Sequence, residues 1–156
     1  MLGAGWDCFS SARLSVSRPA ARSGSTWQAE DLSGNTPAGT LNNAIIEGEA
    51  ENVEVHTGDT RKLPFGDASF NVVLSSMALH NIYNAGERQT AVREIARVLK
   101  RGGRLLILDV RHTNQYAATL CDAGLDARCV QGIVSRLLSV ITFGSIQWGY
   151  VVGSKK

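Results

Sequence analysis

The chain of 156 residues is long enough for one domain with one hydrophobic core. Apolar residues make up 44% and charged residues 19%, which is typical of a soluble globular chain and argues against disorder. A formal net charge of +2 is too small to predict binding to nucleic acid or to an anionic membrane. The three cysteines have no metal-ligand spacing, so we predict no metal site and a reducing, cytoplasmic compartment.

The first 26 residues differ from the rest of the chain. Serine, arginine and alanine dominate them, and neither helical nor strand periodicity persists. We therefore predict a segment at 1–26 that is out of frame or poorly ordered, followed by a partial domain at 27–156.

Downstream, apolar runs of strand length alternate with amphipathic segments of helical period. This alternation predicts an α/β fold with an open sheet. In chain order we predict a helix from Pro37 to a stop at Gly48, strands at 53–55 and 70–74, a helix at 87–100, a strand at 105–108, a helix at 114–123 with Gly124 as its cap, and strands at 127–130 and 148–152.

The helix at 87–100 carries the clearest amphipathic pattern. Ala91, Ile95 and Val98 share one face. We assign the opposite, solvent-facing side to Arg88, Arg93, Glu94 and Arg97. The apolar tract at 132–152 contains Arg136 and several glycines. We interpret it as two elements of a sheet, with a membrane span as the alternative.

The most informative stretch reads GDTRKLPFGDASFNVVLSSMALHNI at 58–82, followed by RVLKRGGRLLILD at 97–109. This combination resembles the second half of the cofactor domain of class I S-adenosylmethionine-dependent methyltransferases, with a methyltransferase type 11-like pattern. The resemblance implies a Rossmann-like sheet that ends in an antiparallel strand, S-adenosylmethionine as cofactor, and a small-molecule methyl acceptor.

Three predicted strands end in residues that suit the ligand edge of an open α/β sheet, where ligands bind outside the carboxyl ends of the strands. They are followed by Asp59, by Ser75 and Ser76, and by Asp109. The resemblance implies that Asp59 accepts a hydrogen bond from the adenine amino group, with Thr60 beside it. Without the surrounding motif, an aspartate after a glycine would be assigned to a turn or a helix cap.

The segment after the fourth strand of the family lies between cofactor and acceptor. The resemblance therefore implies that Ser75 and Ser76 contact the methionine moiety, and that Met77 packs near the adenosine. His80 and Asn81 would face the acceptor, with His80 as a candidate general base because the ordinary histidine pKa is about 6.5. The alternative is that His80 and Asn81 only hold the loop in shape.

The first half of the family's cofactor site is missing. Members carry a strand that ends in a glycine-rich loop, then a helix, then a second strand that ends in an acid for the ribose. Here Gly24, Ser25 and Thr26 stand where that acid is expected. In the family order 3-2-1-4-5-7-6, loss of these two strands leaves a gap of roughly 14 Å at about 4.8 Å per strand. We expect a weakly folded chain, a rearranged sheet, or no regular central strand.

A shifted reading frame accounts for this loss. With each codon taking the last base of one residue and two bases of the next, Trp6-Asp7 encodes glycine and Asp7-Cys8 encodes leucine. The same shift permits Gly-Cys-Gly-Leu from residues 2–6, and an acid from residues 22–26. The separation of about 20 residues matches dinucleotide-type sites. The alternative is a mitochondrial transit peptide, which the arginines and serines also favour.

The sequence thus predicts an S-adenosylmethionine-dependent methyltransferase for a small-molecule acceptor, impaired in this chain. Its alternative is a catalytically inactive, methyltransferase-like remnant that serves as a partner or scaffold domain. An NAD-type Rossmann protein is disfavoured because no G-x-G-x-x-G follows a strand.

Overall fold

A computed structural model describes residues 12–13, 22–25, 37–56, 58–132, 140–141 and 148–156. The elements in chain order are strands β1 (Ala12–Arg13) and β2 (Arg22–Ser25), helix α1 (Pro37–Ile46), strands β3 (Val53–His56) and β4 (Phe70–Ser76), helix α2 (Ala85–Val98), strand β5 (Leu99–Asp109), helix α3 (Thr113–Asp122), and strands β6 (Leu125–Val130) and β7 (Gly149–Lys155).

The strands form one sheet of seven in the order β3-β2-β1-β4-β5-β7-β6. β2 runs parallel to β3, and β4 runs parallel to β5. β7 is antiparallel to both β5 and β6. This arrangement confirms the predicted Rossmann-like α/β fold with an antiparallel strand near its C-terminus.

The centre of the sheet is rearranged. β1 and β2 lie in the place predicted for a gap, so the gap itself is not open. However, β1 is only two residues long and runs antiparallel to both of its neighbours, β2 and β4. Backbone N–H and C=O groups need partners when they are buried, and a short strand of either direction supplies some of them. The predicted rearrangement of the sheet is therefore confirmed. The place of the family's first strand is occupied by a short strand that runs in the opposite direction.

One face of the sheet carries the core. Val73 of β4 and Ile107 of β5 are fully buried there, as are Ile95 of α2 and Leu120 of α3. On the opposite face, Leu74 pairs with Leu106, and Leu108 pairs with Tyr150. These four apolar side chains are exposed by 37–42%. Among the described residues, helices α2 and α3 therefore bury one face of the sheet, while the opposite face stays partly exposed.

Helix α2 begins two residues before the predicted start, because Asn84 caps it. The Asn84 side chain accepts hydrogen bonds from the backbone N–H groups of Gly86 and Glu87, at 2.8 and 3.2 Å. The prediction that its arginines face solvent is wrong for Arg88, which is buried. Its Nη1 donates to the carbonyl oxygens of Ile82 and Tyr83, both at 2.7 Å, and these contacts fix the end of the preceding loop.

Two predicted helix ends are confirmed by their backbone angles. Gly48 and Gly124 follow α1 and α3 with φ values of +70° and +85°, which glycine adopts without strain. Of the tract at 132–152, residues 133–139 and 142–147 lie outside the described residues, and β7 begins at Gly149. Within the described part of the chain, no helix is long and apolar enough to cross a membrane.

Candidate functional site

The carboxyl ends of β2, β3, β4 and β5 meet at one edge of the sheet, which we call the ligand edge. Ser25 of β2 lies opposite His56 of β3, and Ser76 of β4 lies opposite Leu108 of β5. The reversed strand β1 is the exception, because its first residue, Ala12, lies opposite Ser75. Its carboxyl end therefore points to the other edge of the sheet.

Asp59 lies in the loop that follows β3 and is held by Arg61. The Arg61 Nε atom donates to both carboxylate oxygens at 3.0 and 2.9 Å, and its Nη2 lies 2.7 Å from Oδ2. The Arg61 backbone N–H adds a hydrogen bond of 2.8 Å to Oδ1. Arg61 also donates from Nη1 to Glu87 at 2.8 Å, near the start of α2. Thr60, which separates Asp59 and Arg61 in the sequence, is buried.

The charge of Asp59 is secured by this contact. Burial alone acts to raise its pKa, but hydrogen bonds from the Arg61 side chain and backbone, together with the Arg61 charge, lower that pKa overall. Asp59 is half-buried and ionised at neutral pH, so it can only accept hydrogen bonds. A carboxylate offers about four lone-pair positions. A further donor at its edge, such as an amino group, would share the carboxylate with Arg61.

The residues at the end of β4 have different surroundings. Ser75 is buried, and its Oγ has no hydrogen-bond partner among the described residues. Ser76 is exposed. Met77 is 43% exposed and has a φ of +53°, which is uncommon for a residue with a Cβ. Its backbone N–H donates to the Leu108 carbonyl at 2.9 Å, which holds this strained turn against β5.

His80 and Asn81 belong to a 3-10 turn at Leu79–Asn81, and His80 contacts Asp109 at the end of β5. The His80 backbone N–H donates to Asp109 Oδ2 at 3.0 Å, and the His80 Nδ1 lies 2.6 Å from Oδ1. Asn81 is half-buried, and its backbone N–H lies 3.4 Å from the Ala78 carbonyl. The structure thus brings His80 to a buried carboxylate and leaves Asn81 beside it in the same turn.

The loop between Asp59 and β4 is also anchored on α2 by Arg97. Arg97 contacts Glu94 at 2.8 Å and Asp67 at 2.7 Å, and it donates to the Phe65 carbonyl at 2.9 Å. Glu94 in turn accepts the Leu63 backbone N–H at 3.0 Å. The Arg97 hydrogen bond lowers the pKa of Glu94, against the opposing effect of burial. Sequence periodicity had assigned both side chains to solvent, and this prediction is wrong.

Three residues at this edge were not selected as site residues from the sequence. Arg61 and Tyr116 gave no signal, because each acts through a contact that is distant in sequence or depends on a turn. Asp109 did give one, as an acid that directly follows an apolar strand. The described residues contain no cluster of three or more acids, histidines or cysteines that could hold a metal ion.

Comparison with known proteins agrees with this geometry. The family model described as a methyltransferase domain matches residues 16–107, so the chain belongs to the class I S-adenosylmethionine-dependent methyltransferase family. The match covers β2 to most of β5 and contains Asp59, Ser75 and His80. It does not extend to Asp109.

Two relatives are similar to part of the chain. The demethylmenaquinone methyltransferase of Mycobacterium bovis (strain BCG / Pasteur 1173P2) is 42% identical over 76 residues, which span 48% of this chain and 31% of the relative. The ubiquinone/menaquinone biosynthesis C-methyltransferase of Pseudomonas putida (strain GB-1) is 42% identical over 80 residues, spanning 51% and 30%. The chain thus spans less than a third of the length of these relatives.

A solved geranyl diphosphate methyltransferase in complex with SAM has a similar fold. It superposes with a TM-score of 0.65 and 13% identity, over 88% of this chain and 69% of that chain. At this identity the likeness establishes the fold alone.

Proposed function

We propose that this chain is an S-adenosylmethionine-dependent methyltransferase domain for a small-molecule acceptor, with a cofactor site that is impaired on one side. The observation that carries the impairment is the direction of β1. Ligands bind outside the carboxyl ends of strands in open α/β sheets. The carboxyl end of β1 lies at the opposite edge, away from Asp59.

The residues present fit the cofactor in part. Asp59 is a half-buried, ionised acceptor that suits the adenine amino group, and Ser75 offers a buried hydroxyl oxygen without a partner among the described residues. At the end of β2, where the ribose acid is expected, Gly24 and Ser25 stand instead. The described residues therefore support binding of adenine and of the methyl acceptor, and none of them at the end of β2 is an acid for the ribose hydroxyls.

Each fitting residue has a defined task. Asp59 would accept from the adenine amino group while it keeps Arg61, and the strained turn at Met77 would cover the adenosine. Ser75 would bind near the methionine moiety, and His80 with Asn81 would hold and orient the acceptor. The cofactor supplies an electrophilic methyl group on a sulfonium, so positioning of the acceptor would give much of the acceleration.

The acceptor class is narrowed by two observations. Two relatives that are 42% identical over about half of this chain are named a demethylmenaquinone methyltransferase and a ubiquinone/menaquinone biosynthesis C-methyltransferase. The ligand edge also exposes Met77 at 43% and Trp148 at 58% of their surfaces. An apolar, ring-containing small molecule is therefore the first acceptor to test, with quinol analogues as the probes.

Saturation-transfer NMR with S-adenosylmethionine tests directly whether the cofactor site is impaired on the ribose side. We expect the adenine protons to receive clearly more saturation than the ribose and methionine protons. Asp59→Ala should remove most of the adenine signal, because the amino group loses its acceptor. Asp122→Asn, at an exposed end of α3, is the matched control and should leave the pattern unchanged.

Two results would count against the proposal. Equal saturation of all three parts of the cofactor would mean that the ribose side is intact and the impairment is wrong. No saturation of any part would remove the methyltransferase assignment for this chain and leave the inactive partner or scaffold domain.

A further inference from the structure

The face of the sheet opposite α2 and α3 carries an apolar surface over β4, β5, β7 and β6, which we call the open face. Its leucines Leu74 and Leu106 are paired across β4 and β5, and Leu108 is paired with Tyr150 of β7. All four side chains are more than a third exposed, and Val152 beside Leu106 is half-buried. Helix α1 packs against β3, three positions away from β4 in the sheet. A contiguous apolar patch of this kind marks an interaction site.

The size and shape of the open face limit what can cover it. Each of the four strands contributes three side chains to it. With strands about 4.8 Å apart and side chains about 6.8 Å apart along each strand, the face measures roughly 19 by 20 Å. Its projected area of about 400 Å² is below the roughly 800 Å² per partner of a standard stable interface, so it fits a weak association. A flat sheet face packs well against a second sheet, at about 10 Å and within about 30° of alignment.

Two opposite charges flank β7 at the border of the open face. In the row farthest from the ligand edge, Arg104 of β5 pairs with Ser154 of β7, and Ser154 pairs with Asp126 of β6. Arg104 and Asp126 are both exposed, and they lie two strand spacings apart, about 9.6 Å. The ion pairs among the described residues involve other side chains. The two charges are therefore available at the same height on either side of β7.

A two-fold axis that runs along β7, between two stacked copies, uses this arrangement twice. Rotation about such an axis keeps the position along the strands and exchanges β5 with β6. Arg104 of each copy then faces Asp126 of the other, and Leu108 faces Val130. Tyr150 lies over Tyr150 of the second copy. An axis along β5 would instead bring the two copies of Arg104 together, and facing like charges are unfavourable.

The remaining charge of the open face is compatible with the same stacking. Arg128 of β6 pairs with Val152, so the rotation places it over Leu106 of the second copy. β6 is the edge strand of the sheet. The aliphatic part of Arg128 can therefore cover the leucine while its guanidinium reaches solvent beyond the edge.

We propose that the open face is the interface of a weak homodimer, in which a second copy of this chain stacks on it about a two-fold axis along β7. The apolar residues of β5 and β7 supply the contact. The two pairs of Arg104 with Asp126 set the register, because charge complementarity contributes specificity more than affinity. This inference goes beyond the proposed function and does not depend on it.

Sedimentation equilibrium of the full chain, without cofactor or acceptor, tests the dimer. We expect a monomer–dimer equilibrium with a dissociation constant of about 1–100 µM, in keeping with the small interface. Leu106→Lys should weaken the dimer at least about a hundredfold, because it places a charge in the apolar contact twice per dimer. Arg104→Asp and Asp126→Arg should each weaken it about tenfold, and the combination of both should restore it.

Matched controls carry the same charge changes on other surfaces of the molecule. Arg93→Asp on the exposed side of α2 and Asp122→Arg at the end of α3 should leave the dissociation constant unchanged. Far-ultraviolet circular dichroism of each variant establishes that it is folded. If Leu106→Lys does not fold, the three charge variants still decide the outcome, since Arg104 and Asp126 are exposed.

Three results would overturn the proposal. The first is a chain that stays monomeric up to about 500 µM, well above the expected dissociation constant. The second is a dimer that Leu106→Lys leaves intact, or one that the combined charge reversal fails to restore. The third is a series of open-ended oligomers, because a two-fold interface closes at the dimer. A failed cofactor titration speaks against the proposed function alone, since the dimer forms without any ligand.

Discussion

On the two sides of the centre of the sheet, the strands differ in length and in direction. On one side, β4 and β5 pair in parallel over residues 70–76 and 99–108, and the core residues of α2 and α3 cover them. On the other side, β1 supplies two residues in the opposite direction. The backbone position is filled on both sides, but β4 and β5 end at the ligand edge, whereas the carboxyl end of β1 lies at the other edge. Hydrogen bonding of the backbone can complete a sheet without completing its site.

The largest difference between the two sides should follow from a proline substitution placed in β4 and, separately, in β1. Proline removes a backbone donor and fixes φ, and in the middle of a sheet it breaks a ladder hydrogen bond. We expect Val73→Pro, at a fully buried position of β4, to unfold the domain or to lower its unfolding free energy by at least about 1–3 kcal/mol, the cost of a buried group without its partner. Arg13→Pro in β1 should cost a small fraction of it. Chemical denaturation measures both.

An equal loss in Arg13→Pro would contradict the comparison. It would mean that β1 is an integral strand and that its reversed direction is strongly specified. Leu74→Ala on the exposed face is a further control for general sensitivity of β4, and it should cost less than truncation at a buried position.

A second prediction concerns the anchor of the loop between β3 and β4. Arg97→Met removes the contacts to Glu94, Asp67 and the Phe65 carbonyl. We expect the unfolding free energy to fall by about 1–3 kcal/mol, the cost of leaving such groups without partners. Arg93→Met, an exposed neighbour on the same helix, should change it by less than about 0.5 kcal/mol.

The loss in Arg97→Met should depend on pH in a defined direction. The pKa of Glu94 is lowered in the folded chain from an ordinary value of 4.5. Its contribution to stability is therefore fully present above pH 4.5 and is lost as the pH falls through the folded pKa. The wild type and Arg97→Met should converge in unfolding free energy at acid pH. If the difference in unfolding free energy stays constant as the pH falls well below 4.5, the ion pair of Arg97 with Glu94 contributes nothing to stability.

Much of the fold could be predicted from local pattern. The period of α2 and the apolar run of β5 require only neighbouring residues, and the glycine after α3 signals its end directly. The direction of β1 could not be predicted, since residues 12–13 carry no alternation and their pairing with β4 is a long-range choice. The segment at 1–26 was predicted as separate from the domain, and this boundary stays a prediction.

The roles given to the candidate site residues stay predictions. Asp59, Ser75 and His80 were selected because a motif surrounds them, and the structure gives each a distinct environment. Their partners were harder to predict. Arg61 pairs with Asp59 only because the turn folds back, and Arg88 is buried only because two loop carbonyls need a donor. A helical wheel treats such arginines as solvent-facing.

The central claim is that the reversed strand, and not the ligand edge from Asp59 to Asp109, limits cofactor binding. Isothermal titration with S-adenosylmethionine should compare this chain with one translated in the shifted frame over codons 1–26 and identical from residue 27. We predict binding at least about tenfold tighter in the shifted chain, a gain of about 1.4 kcal/mol. Equal affinity of the two chains would contradict the account.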